Sequence, residues 1–193
     1  MMQNGRPKPV PLNFTDIHPS GDLERRAMKN YDRMESQKYQ PPRVFLTEEE
    51  SNYWPGDTEG RTILALTLLA QALHREPRHL IPIINQFPSH MNERGYFGSI
   101  HTDFVDEQQL SSHSWVLRGL CEYAEWTEDS RAMNLIEGVV RQLALPTRGR
   151  HSIYPLDPSI RTHTGCYSGT PTMKAEGWRL STDVGCDFLF LDG

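Results

Sequence analysis

Cysteine is scarce in this chain and poorly arranged for pairing. Cys121, Cys166 and Cys186 are the only three among 193 residues. The count is odd, the spacing wide and no CxxC pair occurs, which argues against a zinc ribbon or a dithiol redox motif. They read as buried free thiols, the alternative being that one acts as a nucleophile or metal ligand. Long apolar runs are missing as well. No stretch reaches the roughly 18 residues of a membrane-spanning helix, and the opening MMQNGRPKPVPLNF lacks the apolar segment of a secretion signal. Positive charge is not in excess, since 20 Lys and Arg face 25 Asp and Glu for a net charge of −5. Nucleic acids and anionic membranes favour a basic face, so neither is expected as a partner. There is no GxGxxG, GxxxxGK[ST], HExxH or GxSxG, which removes the chemistries those motifs carry. The chain reads as cytoplasmic, with a homo-oligomer left open.

What is present is helical patterning. Residues 1–50 form an extended lead-in, with Pro7, Pro9, Pro11 and Pro19, that contains one short polar helix, Gly21–Met34. QPPRVFLTEEESNYWPGD reads as loop, broken by Pro41, Pro42 and Pro55. From residue 51 onward the spacing turns apolar and periodic. Ile63, Leu66, Leu69, Ala70 and Leu73 make one stripe of a helix over Glu59–Arg75, and Leu64 and Leu68 add a second face. Pro77 suits the first turn of a following helix that carries Leu80, Ile83, Ile84 and Phe87, and Pro88 ends or kinks it. A shift of 53 residues then carries Ile63 onto Val116, Leu73 onto Trp126 and Leu80 onto Met133, so the helical hairpin recurs. A third unit begins near STDVGCDFLFLDG. The apolar Phe188–Leu191 so near the end reads as a helix cut short, with residues 51–193 truncated at the C-terminus, or else as a terminal segment docked on the core. The expected fold is all-α, with repeated helical hairpins forming a partial (α/α)6 toroid.

In such a toroid the loops before the inner helices converge, and polar residues there share a pocket. Two clusters occupy that position: Tyr53, Trp54, Asp57, Glu59 and Arg61, and the stretch Glu107–Trp115 that follows GYFGSIHTDF. Each has a plain structural reading. Asp57 and Glu59 favour a helix N-terminus through its dipole. Asp106 can cap the second helix with Gln109 reaching back, as in a capping box. His113 is the polar residue set into the apolar stripe of Leu110, Leu117, Leu120, Cys121 and Ala124, and reads either as a core histidine or as a pocket one. Tyr96, Phe97, Trp54 and Trp115 serve a core, or stack on sugar rings whose hydroxyls the acids and amides bind. Glycoside hydrolysis needs two carboxyl groups roughly 5–10 Å apart. Asp57, Glu59, Asp103, Asp106, Glu107 and Asp183 are available, and sequence singles out no pair, so the catalytic residues are unknown. His163 and Cys166 in THTGC do not make a zinc site, and no metal is expected within the chain.

GDTEGRTILALTLLA, GYFG and EQQLSSHSWVLRGLCEYAEWTED together resemble the N-terminal half of the (α/α)6-toroid domain of glycoside hydrolase family 127, the β-L-arabinofuranosidase-like proteins. The resemblance covers roughly residues 50–145. It matches Glu107 and His113 to the Glu and second His of an H-E-L-Y-x-x-G-H helix start, and puts Asp106 where the family has its first, sugar-contacting histidine. The family's zinc-bound cysteine nucleophile matches nothing here; zinc is implied only for a longer protein. The resemblance therefore implies a carbohydrate partner and a glycoside hydrolase-like function, inactive in this chain alone if it is truncated. Asp57, Glu59, Tyr96, Asp106, Glu107, His113 and Trp115 are the substrate-binding candidates. The alternatives are a non-catalytic helical carbohydrate-binding or scaffold protein and a toroid sugar lyase or epimerase.

Overall fold

The computed structural model describes residues 10, 12–13, 16–51, 53–155 and 173–180. Among them are six α-helices: α1 (Gly21–Met34), α2 (Pro41–Val44), α3 (Asp57–Leu73), α4 (Leu80–His90), α5 (Glu107–Thr127) and α6 (Ser130–Val139). Three short strands, β1 (Val105–Asp106), β2 (Met173–Ala175) and β3 (Trp178–Leu180), join in the order β1-β3-β2. The protein is mostly helical, as the apolar spacing implied. The small sheet is an addition that the all-α expectation did not contain.

Helices α3 and α5 make the central packing, and two glycines set how closely they approach. A Cβ added at Gly60 would overlap the Val116 amide nitrogen and the Trp115 backbone. One added at Gly119 would lie 2.5 Å from Ile63 Cγ1 and 2.8 Å from the Gly60 carbonyl oxygen. Gly60 meets Val116 and Ile63 meets Gly119, so the two helices run parallel. Both end on a left-handed residue, His74 (φ 52°) and Glu128 (φ 56°). That conformation stops a helix and turns the chain. Asp129 then caps α6 by accepting from the Arg131 amide at 2.9 Å.

The main core takes in Ile63, Leu66, Leu80, Ile83, Phe87, Val116 and Leu120, with Met34 and Val44 from the N-terminal part of the chain. A second cluster, around Tyr96, Val105, Leu110, Leu117, Val139 and Trp178, fills the space between α5, α6 and the sheet. α1 packs on α3 and keeps the limits expected from its sequence.

Several expectations need correction. Pro41 and Pro42 do not break the chain but open α2, because proline's fixed φ and missing N–H suit a first helical turn. α3 begins two residues before the expected Glu59 and ends at Leu73 instead of Arg75, and α4 starts at Leu80, beyond Pro77. Pro88 lies within α4, which runs on to His90. Cys121 is exposed on α5 and not buried. The 53-residue register also slips in α6: Leu80 is buried, whereas its counterpart Met133 is 54% exposed. Ala132 and Val139 take the core face there, because the Asp129 cap fixes where α6 starts. The expected third unit, Cys166, Cys186 and His163 lie outside the described residues.

Candidate functional site

The head of α5 is built around Asp106. Its Oδ1 accepts from the Gln108 amide at 3.0 Å and the Gln109 amide at 3.3 Å, the expected N-cap. Its other oxygen lies 3.3 Å from Arg179 Nε and 3.6 Å from His101 Nε2. Arg179 arrives there because Asp106 and Arg179 are partners across the parallel β1–β3 pair. Burial raises the Asp106 carboxyl pKa, against the pull of the Arg179 guanidinium. The other half of the capping box is not made. The Gln109 side chain instead donates to the carbonyls of Phe97 and Ser99, both at 2.9 Å. Loop carbonyls beside a buried helix need donors, and the Gln109 amide supplies two.

His113 ties the same loop to α5. The Phe97 amide donates to Nε2 at 2.9 Å, so the ring proton sits on Nδ1, which donates to the Gln109 carbonyl at 2.6 Å. The ring is fully buried, and desolvation of its charged form pulls its pKa down to about 4. Both ring nitrogens are occupied by backbone, so His113 acts here as a tie. Tyr96 meets its ring edge-on at 6.0 Å. Burial raises the Tyr96 hydroxyl pKa, partly offset by the nearby Arg94 guanidinium. Gly98 (φ 83°) completes the turn: a Cβ there would lie 2.6 Å from Pro55 Cγ.

Of the remaining candidates, Asp57 and Glu59 sit on α3 and Glu107 and Trp115 on α5. Asp57 accepts from Arg61 Nε at 2.8 Å through both oxygens, and the Arg61 guanidinium lies 4.3 Å from the Trp115 ring centre. One face of Trp115 is thus covered by a cation. Glu59 is 2% exposed. Its Oε1 accepts from the Leu46 amide at 3.3 Å, while Oε2 has no hydrogen-bond partner. Desolvation raises its pKa to about 7. Glu107 accepts from the Tyr154 hydroxyl at 3.3 Å. The structure therefore gathers Tyr96, Asp106, Glu107 and His113 at the head of α5. Asp57, Glu59 and Trp115 lie along the α3–α5 crossing.

The residues that sequence reasoning passed over are as informative. Every residue from Asp106 to Ser114 is buried, and only Leu110 among them is apolar. Ser112 and Ser114 return their hydroxyls to the helix backbone, at 2.8 and 2.6 Å. Gln108 does not: neither its Oε1 nor its Nε2 has a partner, and the same is true of Ser111 Oγ and Trp115 Nε1. Steps of three and four residues put Gln108, Ser111 and Trp115 on one face of α5. That spacing was open to view in EQQLSSHSW. A cavity of about 220 Å³ lies beside this helix head, lined among others by Arg94, Tyr96, His101, Asp106, Gln109 and Arg150. Arg94 and Arg150 carried no sequence signal. Only the return of the chain after α6 brings Arg150 beside the 92–99 turn.

Fold and site define a mostly helical protein with a buried polar helix head beside a small, cation-lined cavity. No protein-family model, curated protein or solved structure matches the chain. Among the described residues no helix is long and apolar enough to cross a membrane. No cluster of three His, Cys, Asp or Glu able to hold a metal lies among them. The resembled family's zinc–thiolate donor set has no counterpart among the described residues, whose cysteine, Cys121, is exposed on α5 with its thiol pKa raised by partial desolvation and by Glu122 and Glu125.

Proposed function

We propose that this chain forms part of the sugar-binding wall of a glycoside hydrolase-like protein, within a partial (α/α)6 toroid of repeated helical hairpins. The parallel packing of α3 and α5, each followed by a shorter helix, supports the hairpin arrangement. One observation carries the functional reading: the buried, unpartnered amide of Gln108 beside the unpartnered Ser111 hydroxyl. An unsatisfied buried polar group costs about 1–3 kcal/mol. Such a cost is tolerated where a ligand supplies the missing partners, and an amide plus a hydroxyl matches the alternating donors and acceptors of a sugar's hydroxyl groups. Glu107 and Tyr96 complete the polar and aromatic character that a sugar site uses. The setting is cytoplasmic and the partner a carbohydrate.

The non-catalytic alternative, a helical carbohydrate-binding or scaffold protein, draws support from Asp106 and His113, whose polar atoms are already held within the chain. Q108L separates a site from a structural role. A sugar site predicts a rise in melting temperature together with loss of sugar binding, measured by thermal unfolding and by ligand-observed NMR against a monosaccharide panel. Unchanged sugar binding in a stabilised Q108L protein would overturn the reading.

A further inference from the structure

The chain as a whole is acidic, yet the cavity beside α5 is not. Asp106 is the acid among the lining residues named above, and its charge is already met by Arg179 at 3.3 Å and His101 at 3.6 Å. Arg94 and Arg150 line the same cavity, and among the described residues neither has a carboxylate partner. Other arginines are paired, Arg61 with Asp57, Arg78 with Glu35, Arg131 with Asp129 and Arg141 with Glu137, whereas Arg33 and Arg43, at a more open concavity beside Lys38, are not so paired among the described residues. What sets the cavity beside α5 apart is that its one lining acid among the described residues is already neutralised, so the two guanidiniums leave it cationic. A guanidinium presents a planar fork of N–H donors that matches a carboxylate or a phosphate. At about 30 Å³ per water, 220 Å³ is room for roughly seven waters, the scale of one small polar ring. Tyr96 offers an aromatic wall, and Thr147 also lines the cavity, its hydroxyl donating to the Ala144 carbonyl.

We infer that this cavity binds the anionic group of an acidic monosaccharide unit, a sugar carrying a carboxylate or a phosphate, with Arg94 and Arg150 as its charge partners. The inference takes from the sugar-binding reading above that the ligand is a sugar, and adds a second contact region, since Gln108 and Ser111 do not line this cavity. Neither arginine belongs to the Gln108 face, so the two ideas are separable by mutation.

The test is calorimetric titration of the whole chain with four probes: a hexuronate, its neutral parent hexose, the corresponding hexose 6-phosphate and inorganic phosphate. The same titrations are run on R94Q, R150Q and the conservative R94K, each checked for an unchanged melting temperature. The expected result is that the uronate or the sugar phosphate binds at least tenfold more tightly than the neutral hexose. R94Q and R150Q each lose about that preference, and R94K retains part of it. Whichever anion leads identifies the source of the charge. Neutral and acidic sugars binding equally, or binding that is indifferent to both substitutions, overturns the anionic inference while leaving the sugar reading standing. Inorganic phosphate binding with no sugar binding keeps the anion site and sinks the sugar reading. Absence of binding by every probe overturns both.

Discussion

Glu59 and His113 are buried titratable groups that pull stability in opposite directions with pH. The His113 pKa falls from an ordinary 6.5 to about 4 on folding. Below pH 6.5 the unfolded chain takes up a proton that the folded one refuses, so this group makes stability rise with pH between about 4 and 6.5. The Glu59 pKa rises from 4.5 to about 7. Between those values the folded state holds a proton that the unfolded chain releases, so this group makes stability fall as pH rises. Over their shared window the two slopes nearly cancel. E59Q removes one of them. Chemical denaturation of E59Q should show stability climbing from pH 4.5 to 6.5 more steeply than in the parent. At pH 7.5 the variant should gain on the order of 2–3 kcal/mol over it. Parallel pH profiles for the two proteins would contradict the assignment.

The helices make a second prediction, from their glycines. G60A forces the α3 and α5 backbones apart, because the added methyl has only backbone atoms to displace. It should cost about 3 kcal/mol or more. G95A meets nothing within 4 Å and suffers only its positive φ of 81°, for about 1–2 kcal/mol. Urea denaturation of the two variants gives the comparison. The helices themselves were largely legible in the sequence, because Ile63, Leu66 and Ala70, or Leu110, Leu117 and Leu120, recur at helical spacing. Their boundaries were less so. Asp57 extends α3 with no apolar residue to announce it, and Pro41–Pro42 reads equally as breaker and as helix start. The sheet was not legible, since β1 is two residues long and exists only because Trp178 and Arg179 come back to pair with it. Asp106 was readable as a cap from its place before a helix. The true partners of Gln109 and His113 were not, because both reach a loop ten or more residues away.

At the scale of the whole molecule, the two apolar clusters are joined through Met91 and Ile136, which pack against both. The cavity sits where the second cluster meets the head of α5. One side of it, with Arg94 and Tyr96, is the 92–99 turn, and that turn is held by α5 at three backbone atoms: the Phe97 amide by His113, and the Phe97 and Ser99 carbonyls by Gln109. A wall fastened this way cannot swing independently of the helix. The consequence is kinetic. A ligand meets a surface already in its bound shape, so association should proceed in one step, with an observed rate that grows linearly with ligand concentration and shows no plateau. Stopped-flow tryptophan fluorescence would register the event through Trp115 or Trp178. In Q109A, where two of the three fastenings are gone, the same trace should bend toward saturation as loop ordering begins to limit the rate.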